Sequence, residues 1–349
     1  MNLVLSFVIS LVCSLTFLPS LIQAAHARRI LDLPGPRKIH REPVALLGGV
    51  GIFAALLLSL TFFGARFFEP DHLFLLTSVI LLFFMGLRDD MSPLSPGVKL
   101  FGQFTAAAIS VLLGNIRLSS LYGLLGHHQL PFVGSVAVSI LLIVFMINAF
   151  NFMDGVDGLA GTIAAIASSV AGVIFYYSGQ FFFAILSLSL AGSILGFLRF
   201  NITPARVFMG DSGSMSIGFL LAICGMQLTS VSLWRMADGS SSNGFLIAIA
   251  LLALPAVDAL QLIVLRLLNG RSPFRPDNCH FHHQLVAIGW SGKRIVLFYL
   301  LLQIFFLLVV CYFPFRSAFQ PICFILLSTL SIIRFAHWQA GKAIVALKR

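Results

Sequence analysis

About eleven long apolar stretches constrain this chain more than any other feature. Each is close to the ~20 residues that an α-helix needs to cross a bilayer. They fall at residues 2–24, 46–68, 71–87, 98–114, 131–149, 158–178, 181–199, 212–233, 245–268, 294–313 and 317–337. Only 10% of the 349 residues are charged, whereas a soluble domain carries about 25%. The sequence therefore predicts an all-α integral membrane protein, a polytopic bundle of about 11 transmembrane helices in a single domain, 1–349.

The basic residues are concentrated in alternate connections between these stretches and in the C-terminal segment. Of the 22 Lys and Arg residues, only Arg66, Arg117, Arg235 and Arg316 lie outside the segments 25–45, 88–99, 199–210, 266–294 and 334–349. The positive-inside rule makes those segments cytoplasmic, which predicts an N-terminus outside and a C-terminus in the cytoplasm. This topology also accounts for the net charge of +10. Because no basic helix or zinc-finger spacing is present, we expect no nucleic-acid partner.

The segment NAFNFMDGVDGLAG repeats a polar side chain at every third residue. Asn148, Asn151, Asp154 and Asp157 follow one another at this spacing. On a helix, such neighbours lie along one stripe of the surface. Amide and carboxylate oxygens suit a hard cation such as Mg²⁺, although a polar helix end facing water would show the same pattern.

Two adjacent acids, Asp89 and Asp90, follow the third apolar stretch. Neighbouring carboxylates repel each other, so one has a raised pKa or both share a cation. A hydrophilic turn is the simpler alternative. Lys99, at the start of the next stretch, is placed to pair with these acids or with a lipid phosphate, or to extend its charge to the membrane surface.

A Gly/Ser-rich segment, Gly210 to Ser214, lies at the start of the eighth apolar stretch and contains Asp211. A helix that begins here offers unpaired N–H groups and the positive end of its dipole to an anion. Simple capping of the helix is the alternative.

The segment after the ninth stretch is rich in histidine and arginine. His280, His282 and His283 follow Arg275 and Cys279. Cys and His are zinc ligands, but ligands so close in sequence do not easily converge on one tetrahedral ion. Arg and His side chains in this density favour binding of phosphate oxygens.

The candidate active-site loops, 25–45, 88–99, 148–157, 199–211 and 269–293, all fall on the predicted cytoplasmic side. Their carboxylates, amides and cations indicate a Mg²⁺-dependent reaction of phosphates at the inner membrane surface. An ion-coupled transporter is the alternative, but only Asp258 lies clearly within an apolar stretch, and no repeat is apparent.

In this order, the Asp89-Asp90 pair, NAFNFMDGVDGLAG, VFMGDSGS and SPFRPDNCHFHHQL resemble the motifs of the polyprenyl-phosphate N-acetylhexosamine-1-phosphate transferases of glycosyltransferase family 4. The early segment Arg37-Lys38-Ile39-His40 matches as well. The last motif is more similar to the bacterial undecaprenyl-phosphate GlcNAc-1-phosphate transferases, which start O-antigen, common antigen or teichoic-acid linkage units.

The resemblance implies a multi-pass protein of the bacterial inner membrane with a cytoplasmic active site. It would transfer a sugar-1-phosphate from a UDP-N-acetylhexosamine to undecaprenyl phosphate and release UMP. The sugar is GlcNAc in most relatives of this branch, with FucNAc, GalNAc and QuiNAc as alternatives. The resemblance leaves the oligomeric state open, a homodimer included.

The resemblance also implies roles for individual residues. Asn151 and Asp211 would bind Mg²⁺, or Mn²⁺ in its place. Asp89, Asp90, Asp154 and Asp157 would be catalytic, with Asp89 or Asp90 acting on the lipid phosphate as base or as orienting group. The expected substrate-binding residues are Lys99, Asn148, Phe208, Arg275, His280, His282 and His283.

Overall fold

A computed structural model describes residues 2–34, 42–122, 129–232, 243–270, 280–313, 315 and 319–347. Arg275, Cys279 and the segment 37–40 lie outside the described residues. The long helices are α1 (Asn2–Arg28), α2 (Gly48–Gly64), α3 (Pro70–Met91), α4 (Pro96–Ala108), α5 (Phe132–Met153), α6 (Leu159–Tyr177), α7 (Phe181–Asn201), α8 (Gly210–Leu228), α9 (Asn243–Leu268), α11 (Gly292–Tyr312) and α12 (Phe319–Leu347). The short α10 (Phe281–Ala287) and the two-residue strands β1 (Leu31–Asp32) and β2 (Val44–Ala45) complete the described elements.

Ten helices in the described part of the chain are long and apolar enough to cross a membrane. They correspond to ten of the predicted stretches and confirm a polytopic all-α membrane protein. The eighth stretch forms α8, which is not among these ten helices and begins with the polar and small residues Gly210, Asp211, Ser212, Gly213 and Ser214. The prediction of about eleven spans therefore differs from the count by this one helix.

Helix α8 lies at the centre of the bundle. It packs against α2, α3, α5, α6 and α9, and 16 of its 19 residues are buried. Glycines let the neighbouring backbones approach, as small residues do in membrane helices. A Cβ on Gly86 of α3 would lie 2.5 Å from the Asp211 carbonyl oxygen, and one on Gly218 would lie 3.0 Å from Ile147 Cα of α5. These contacts fix the start of α8 beside the ends of α3 and α5.

A small sheet ties the first connection to the start of α8. β1 pairs antiparallel with β2, with Leu31 opposite Ala45. The Phe208 N–H donates to the Ala45 carbonyl oxygen at 2.8 Å, and the Gly48 N–H donates to the Phe208 carbonyl oxygen at 3.0 Å. Strands of two residues have no readable periodicity, so the sequence did not predict this sheet.

Serines and glycines join α1, α2 and α7 to one another. Ser10 Oγ donates to the Ser189 carbonyl oxygen at 2.7 Å, and Ser59 Oγ donates to the Ser6 carbonyl oxygen at 2.7 Å. Gly192 of α7 faces α1 so closely that a Cβ there would collide with the Phe7 carbonyl oxygen. Close backbone contact, rather than large side chains, holds this pair of helices together.

Gly192→Leu should destabilise the protein by about 1–3 kcal/mol, because the added side chain forces α1 away from α7. Gly134→Leu is the matched control, since a Cβ at this helical glycine meets its nearest atom, Pro131 Cγ, at 3.4 Å. The unfolding midpoint of each variant in detergent would be measured. Equal midpoints for the two variants would contradict the packing described for α1 and α7.

Candidate active site

The segment predicted as one polar stripe is only partly helical. Helix α5 continues to Met153 and therefore carries Asn148 and Asn151, but Asp154 already has φ −77° and ψ 35° and ends the helix. Gly158, with φ +79°, precedes α6. The single-stripe prediction is therefore wrong for Asp154 and Asp157, which lie in the turn between the two helices.

A polar cavity of about 340 Å³ lies where this turn meets the start of α8. Residues from five connections line it: Asp32, Leu46, Asp90, Asn151, Asp154, Gly155, Val156, Asp157, Asn201, Phe208, Gly210, Asp211 and His283. Most of the side chains predicted for the site are among them. The fold thus brings the end of α3, the end of α5, the start of α8 and α10 to one end of the bundle.

Lys99 bridges two carboxylates at the edge of this cavity. Its Nζ lies 2.6 Å from Asp89 Oδ2 and 2.6 Å from Asp211 Oδ2. The three side chains are between 11% and 28% exposed, so water screens the pair less than it would on an open surface. The Leu94 N–H also donates to Asp89 Oδ1 at 2.6 Å. Asp89 therefore holds Lys99 and its own turn in position.

Asp90 caps the central helix. Its Oδ1 accepts the Asp211 N–H at 2.6 Å, and its Oδ2 accepts the Ser212 N–H at 3.1 Å. The same contact stabilises the negative charge of Asp90 at the negative end of the α3 dipole, because the start of α8 carries the positive end of a dipole. The anion expected at this helix start is thus a side chain of the protein itself.

Asn151 and Asp211 face each other across the cavity. Asn151 Nδ2 donates to Asp211 Oδ1 at 2.9 Å and to Ser214 Oγ at 2.7 Å. The amide nitrogen is therefore committed to α8. The amide oxygen has no hydrogen-bond partner within the described residues, so it is available to a cation.

Asp154 is the carboxylate with fewest partners in the cavity. Within the described part of the chain, its side chain accepts no hydrogen bond and forms no ion pair. Burial, followed by the charges of Asp211, Asp90 and Asp157, raises the pKa of Asp154 well above its usual value. Such a group is stabilised in its charged form only when a cation is near.

Asp157 and Asn201 hold the surrounding connections. Asp157 Oδ2 accepts the Ala205 N–H at 3.1 Å. Asn201 Oδ1 accepts the Gly158 N–H at 2.8 Å, and Asn201 Nδ2 donates to the Val207 carbonyl oxygen at 2.8 Å. Both side chains line the cavity and also fasten the turn after α5 to the segment before α8.

Asn148 does not reach the polar cavity. Its Nδ2 donates to Gln103 Oε1 at 2.6 Å and to the Val144 carbonyl oxygen at 2.7 Å. It lines a separate, mostly apolar cavity of about 200 Å³ between α4, α5 and α9. One helical turn from Asn151, it faces α4 rather than α8.

The three histidines occupy three different environments. His283 lines the polar cavity. His282 is fully buried, and neither ring nitrogen has a partner among the described residues. Burial, reinforced by His283 and His280, holds the pKa of His282 well below its usual value, so its ring is a neutral group near Gly155 rather than a cation. His280 pairs with Asp258, with its Nδ1 3.1 Å from Asp258 Oδ2.

The donor set fits a magnesium ion that is only partly enclosed by protein. No cluster of three or more His, Cys, Asp or Glu side chains in the described ranges surrounds a metal position by itself. Mg²⁺ usually binds through one or two carboxylates and completes its shell with water and substrate phosphates. The unpartnered Asp154, the amide oxygen of Asn151 and the carboxylate of Asp211 meet that requirement.

Asp32 is a cavity residue that the motif analysis missed. It lies in β1 and lines the cavity beside Leu46. Asp32 lies in the predicted active-site loop 25–45, on the same side as the other acids, and this position is the one sequence feature that pointed to it. No motif spacing linked it to Asp90 or Asp211, because the two-residue sheet that brings it there leaves no pattern in the sequence.

The fold and this cavity define a polytopic helical membrane protein with an acidic site at one end of its bundle. Residues 72–229 match the family described as Glycosyl transferase family 4. The chain is 36% identical over 286 residues to a decaprenyl-phosphate N-acetylglucosaminephosphotransferase of Mycolicibacterium smegmatis, which covers 76% of this chain and 70% of that protein.

Two further relatives come from other bacteria. A probable undecaprenyl-phosphate N-acetylglucosaminyl 1-phosphate transferase of Bacillus subtilis is 29% identical, over 85% of this chain and 80% of its own length. The undecaprenyl-phosphate alpha-N-acetylglucosaminyl 1-phosphate transferase of Escherichia coli O157:H7 is 28% identical, over 76% and 71%. The chain therefore belongs to the polyprenyl-phosphate N-acetylglucosamine-1-phosphate transferase family, as its motifs predicted.

Asp90→Ala should lower the free energy of unfolding by about 1–2 kcal/mol, the usual cost of removing a helix cap. Asp71→Ala is the control, because Asp71 is an exposed acid in the first turn of the same helix. Chemical or thermal unfolding in detergent would compare the two variants. If both shifted stability equally, the Asp90 carboxylate would not be what anchors α8.

Proposed function

We propose that this protein transfers GlcNAc-1-phosphate from UDP-GlcNAc to undecaprenyl phosphate, releasing UMP and forming undecaprenyl-diphospho-GlcNAc. The names of the relatives support this reaction. The observation that carries the proposal is the cavity in which Asp154, without a partner among the described residues, faces Asn151 and Asp211. A cluster of this kind requires cationic ligands and phosphates to balance its charge.

The lipid substrate is expected on the side of α4, α5 and α9. The apolar cavity there is lined by Leu100, Phe104, Val144, Phe152 and Ala259, among others. Lys99 adjoins Leu100, and Asn151 adjoins Phe152 in the chain. A prenyl chain in this cavity would therefore have its phosphate near the charged edge of the polar cavity. Lys99 supplies a cation for that phosphate.

The nucleotide-sugar is expected in the polar cavity itself. Phe208 and His283 line it together with the carboxylates. The backbone of Phe208 is fixed by hydrogen bonds to Ala45 and Gly48, so its ring offers a preset apolar surface. We assign Phe208 to the uracil and His283 to the diphosphate.

The reaction is a substitution at phosphorus. An oxygen of the lipid phosphate forms a bond to the β-phosphorus of UDP-GlcNAc. The bond from that phosphorus to the oxygen bridging the α-phosphate breaks, and UMP leaves with the bridging oxygen. No general base is required, because a phosphate monoester with a second pKa near ~6 is largely deprotonated at neutral pH.

Bound Mg²⁺, or Mn²⁺ in its place, would neutralise charge on the diphosphate and on the departing UMP. Asn151, Asp154 and Asp211 would hold it. Asp89 and Asp90 then act mainly through geometry. Asp89 holds Lys99, and Asp90 aligns Asp211 by capping α8, so neither is needed to remove a proton.

We place the reaction at the cytoplasmic face of a bacterial inner membrane. The excess of Lys and Arg on the site's side of the chain supports this orientation. The product is suited to the first membrane step of a cell-surface polysaccharide, since it is a lipid-linked sugar ready for extension. Whether O-antigen, common antigen or a teichoic acid follows depends on the next enzyme.

Purified protein given undecaprenyl phosphate, UDP-GlcNAc and Mg²⁺ should release one UMP for each lipid-linked sugar formed. Both products would be followed by chromatography, in parallel reactions with UDP-FucNAc, UDP-GalNAc and UDP-QuiNAc. Chelation with EDTA should stop turnover, and added Mg²⁺ or Mn²⁺ should restore it.

The Asp71→Ala variant serves as the folded control in this assay, because Asp71 is an exposed acid at the other end of α3 from the site. Absence of UMP with every donor would contradict the proposed function. Uptake of a substrate into vesicles without UMP release would favour the transporter instead. Full activity in EDTA would remove the metal from the reaction.

A further inference from the structure

One buried acid lies outside the polar cavity and has no part in the reaction proposed above. Asp258 belongs to α9 and is 4% exposed. Its Oδ2 lies 3.1 Å from His280 Nδ1, and its Oδ1 accepts the Phe281 N–H at 2.9 Å. An acid within a membrane-spanning helix is costly unless it is paired. Here both oxygens have partners, and both partners lie at the start of α10.

These contacts fix the first turn of α10 relative to α9. The Phe281 N–H is one of the amides that a helix start leaves without an intrahelical acceptor. The second contact orients the imidazole of His280, because a carboxylate at Nδ1 selects the ring position and tautomer. The His280 ring also packs against Phe152, with ring centroids 5.1 Å apart. Phe152 follows Asn151 directly at the end of α5.

The positions of His282 and His283 depend on this first turn of α10. The ring of His282 is nearly parallel to that of His280, at 9° and 5.7 Å. His283 lies 4.3 Å from His282 and lines the polar cavity. His280 and His283 lie at the start of α10, a helix of only seven residues, so a shift at the start of α10 moves His283 directly.

We infer that Asp258 is a positioning residue for nucleotide-sugar binding: it holds His280 and the start of α10 so that His283 faces the diphosphate. This inference rests on the proposed function, because it takes the diphosphate of UDP-GlcNAc as the ligand of His283. Asp258 touches neither substrate nor reacting atoms, and it acts through α10.

Asp258→Ala should raise the KM for UDP-GlcNAc by about 10–100-fold, the range known for removing side chains that orient metal-binding histidines. The KM for undecaprenyl phosphate should rise less, because α10 lines the polar cavity through His283 and contributes no lining residue to the apolar cavity of the lipid. Asp258→Asn retains an oxygen acceptor for the Phe281 N–H and should have the smaller effect. UMP release would be measured while each substrate is varied in turn.

A matched control distinguishes the positioning role of Asp258 from the general effect of losing a buried polar contact. Gln303 of α11 is fully buried and donates to the Leu251 carbonyl oxygen of α9 at 3.0 Å. Gln303→Leu should lower stability without selective change in the KM for UDP-GlcNAc. If Asp258→Ala fails to fold, Asp258→Asn carries the comparison.

A double-mutant cycle tests the route through His280. Asp258→Asn preserves the backbone contact, so its remaining effect should pass through His280. The double variant Asp258→Asn/His280→Asn should then be no worse than His280→Asn alone. The inference would be overturned if the effects of the two single substitutions on the KM for UDP-GlcNAc added up in the double variant. It would also be overturned if kcat fell while the ratio of the KM for UDP-GlcNAc to the KM for undecaprenyl phosphate stayed unchanged. Absence of UMP from the wild-type protein would instead refute the proposed function.

Discussion

The hydrogen bonds that the Asp90 carboxylate accepts from the first amides of α8 connect the membrane fold to its site. They join the end of α3 to the central helix, and they set the position of Asp211. The arrangement depends on glycines, since a Cβ on Gly210 would lie 2.6 Å from Asp90 Oδ2. The close contact between α3 and α8 is thus needed both for packing of the bundle and for alignment of Asp90 with Asp211.

Among the described residues that line the cavity, carboxylates outnumber cationic side chains. Lys99 contacts Asp89 and Asp211, while Asp154 keeps a raised pKa because burial and three other carboxylates disfavour its ionised form. Carboxylates are retained at such a cost chiefly where function needs them. The divalent cation that we propose would remove this conflict, because it would neutralise the acids and bind the substrate anions.

Much of this protein could be predicted from its sequence, and the failures have physical causes. Hydropathy identified the spans because lipid imposes their length and polarity. Motifs in separate connections predicted Asp90, Asn151 and Asp211 as site residues, and the fold brings these three to one cavity. The direction of each side chain could not be predicted from the motif. Asn148, predicted to bind substrate, faces α4 instead of the polar cavity. Asp32 was missed because a hydrogen-bonded contact between distant segments, not a sequence pattern, brings it to the cavity.

The central claim is that the cavity binds a divalent cation through Asp154 and Asp211. Electron paramagnetic resonance of Mn²⁺ titrated into the purified protein tests it most directly. The account predicts one bound Mn²⁺ in the wild-type protein and in Asp71→Asn, and at least a tenfold weaker site in Asp154→Asn and Asp211→Asn, about 1.4 kcal/mol or more. Equal Mn²⁺ binding in all four proteins, or none in the wild type, would contradict it.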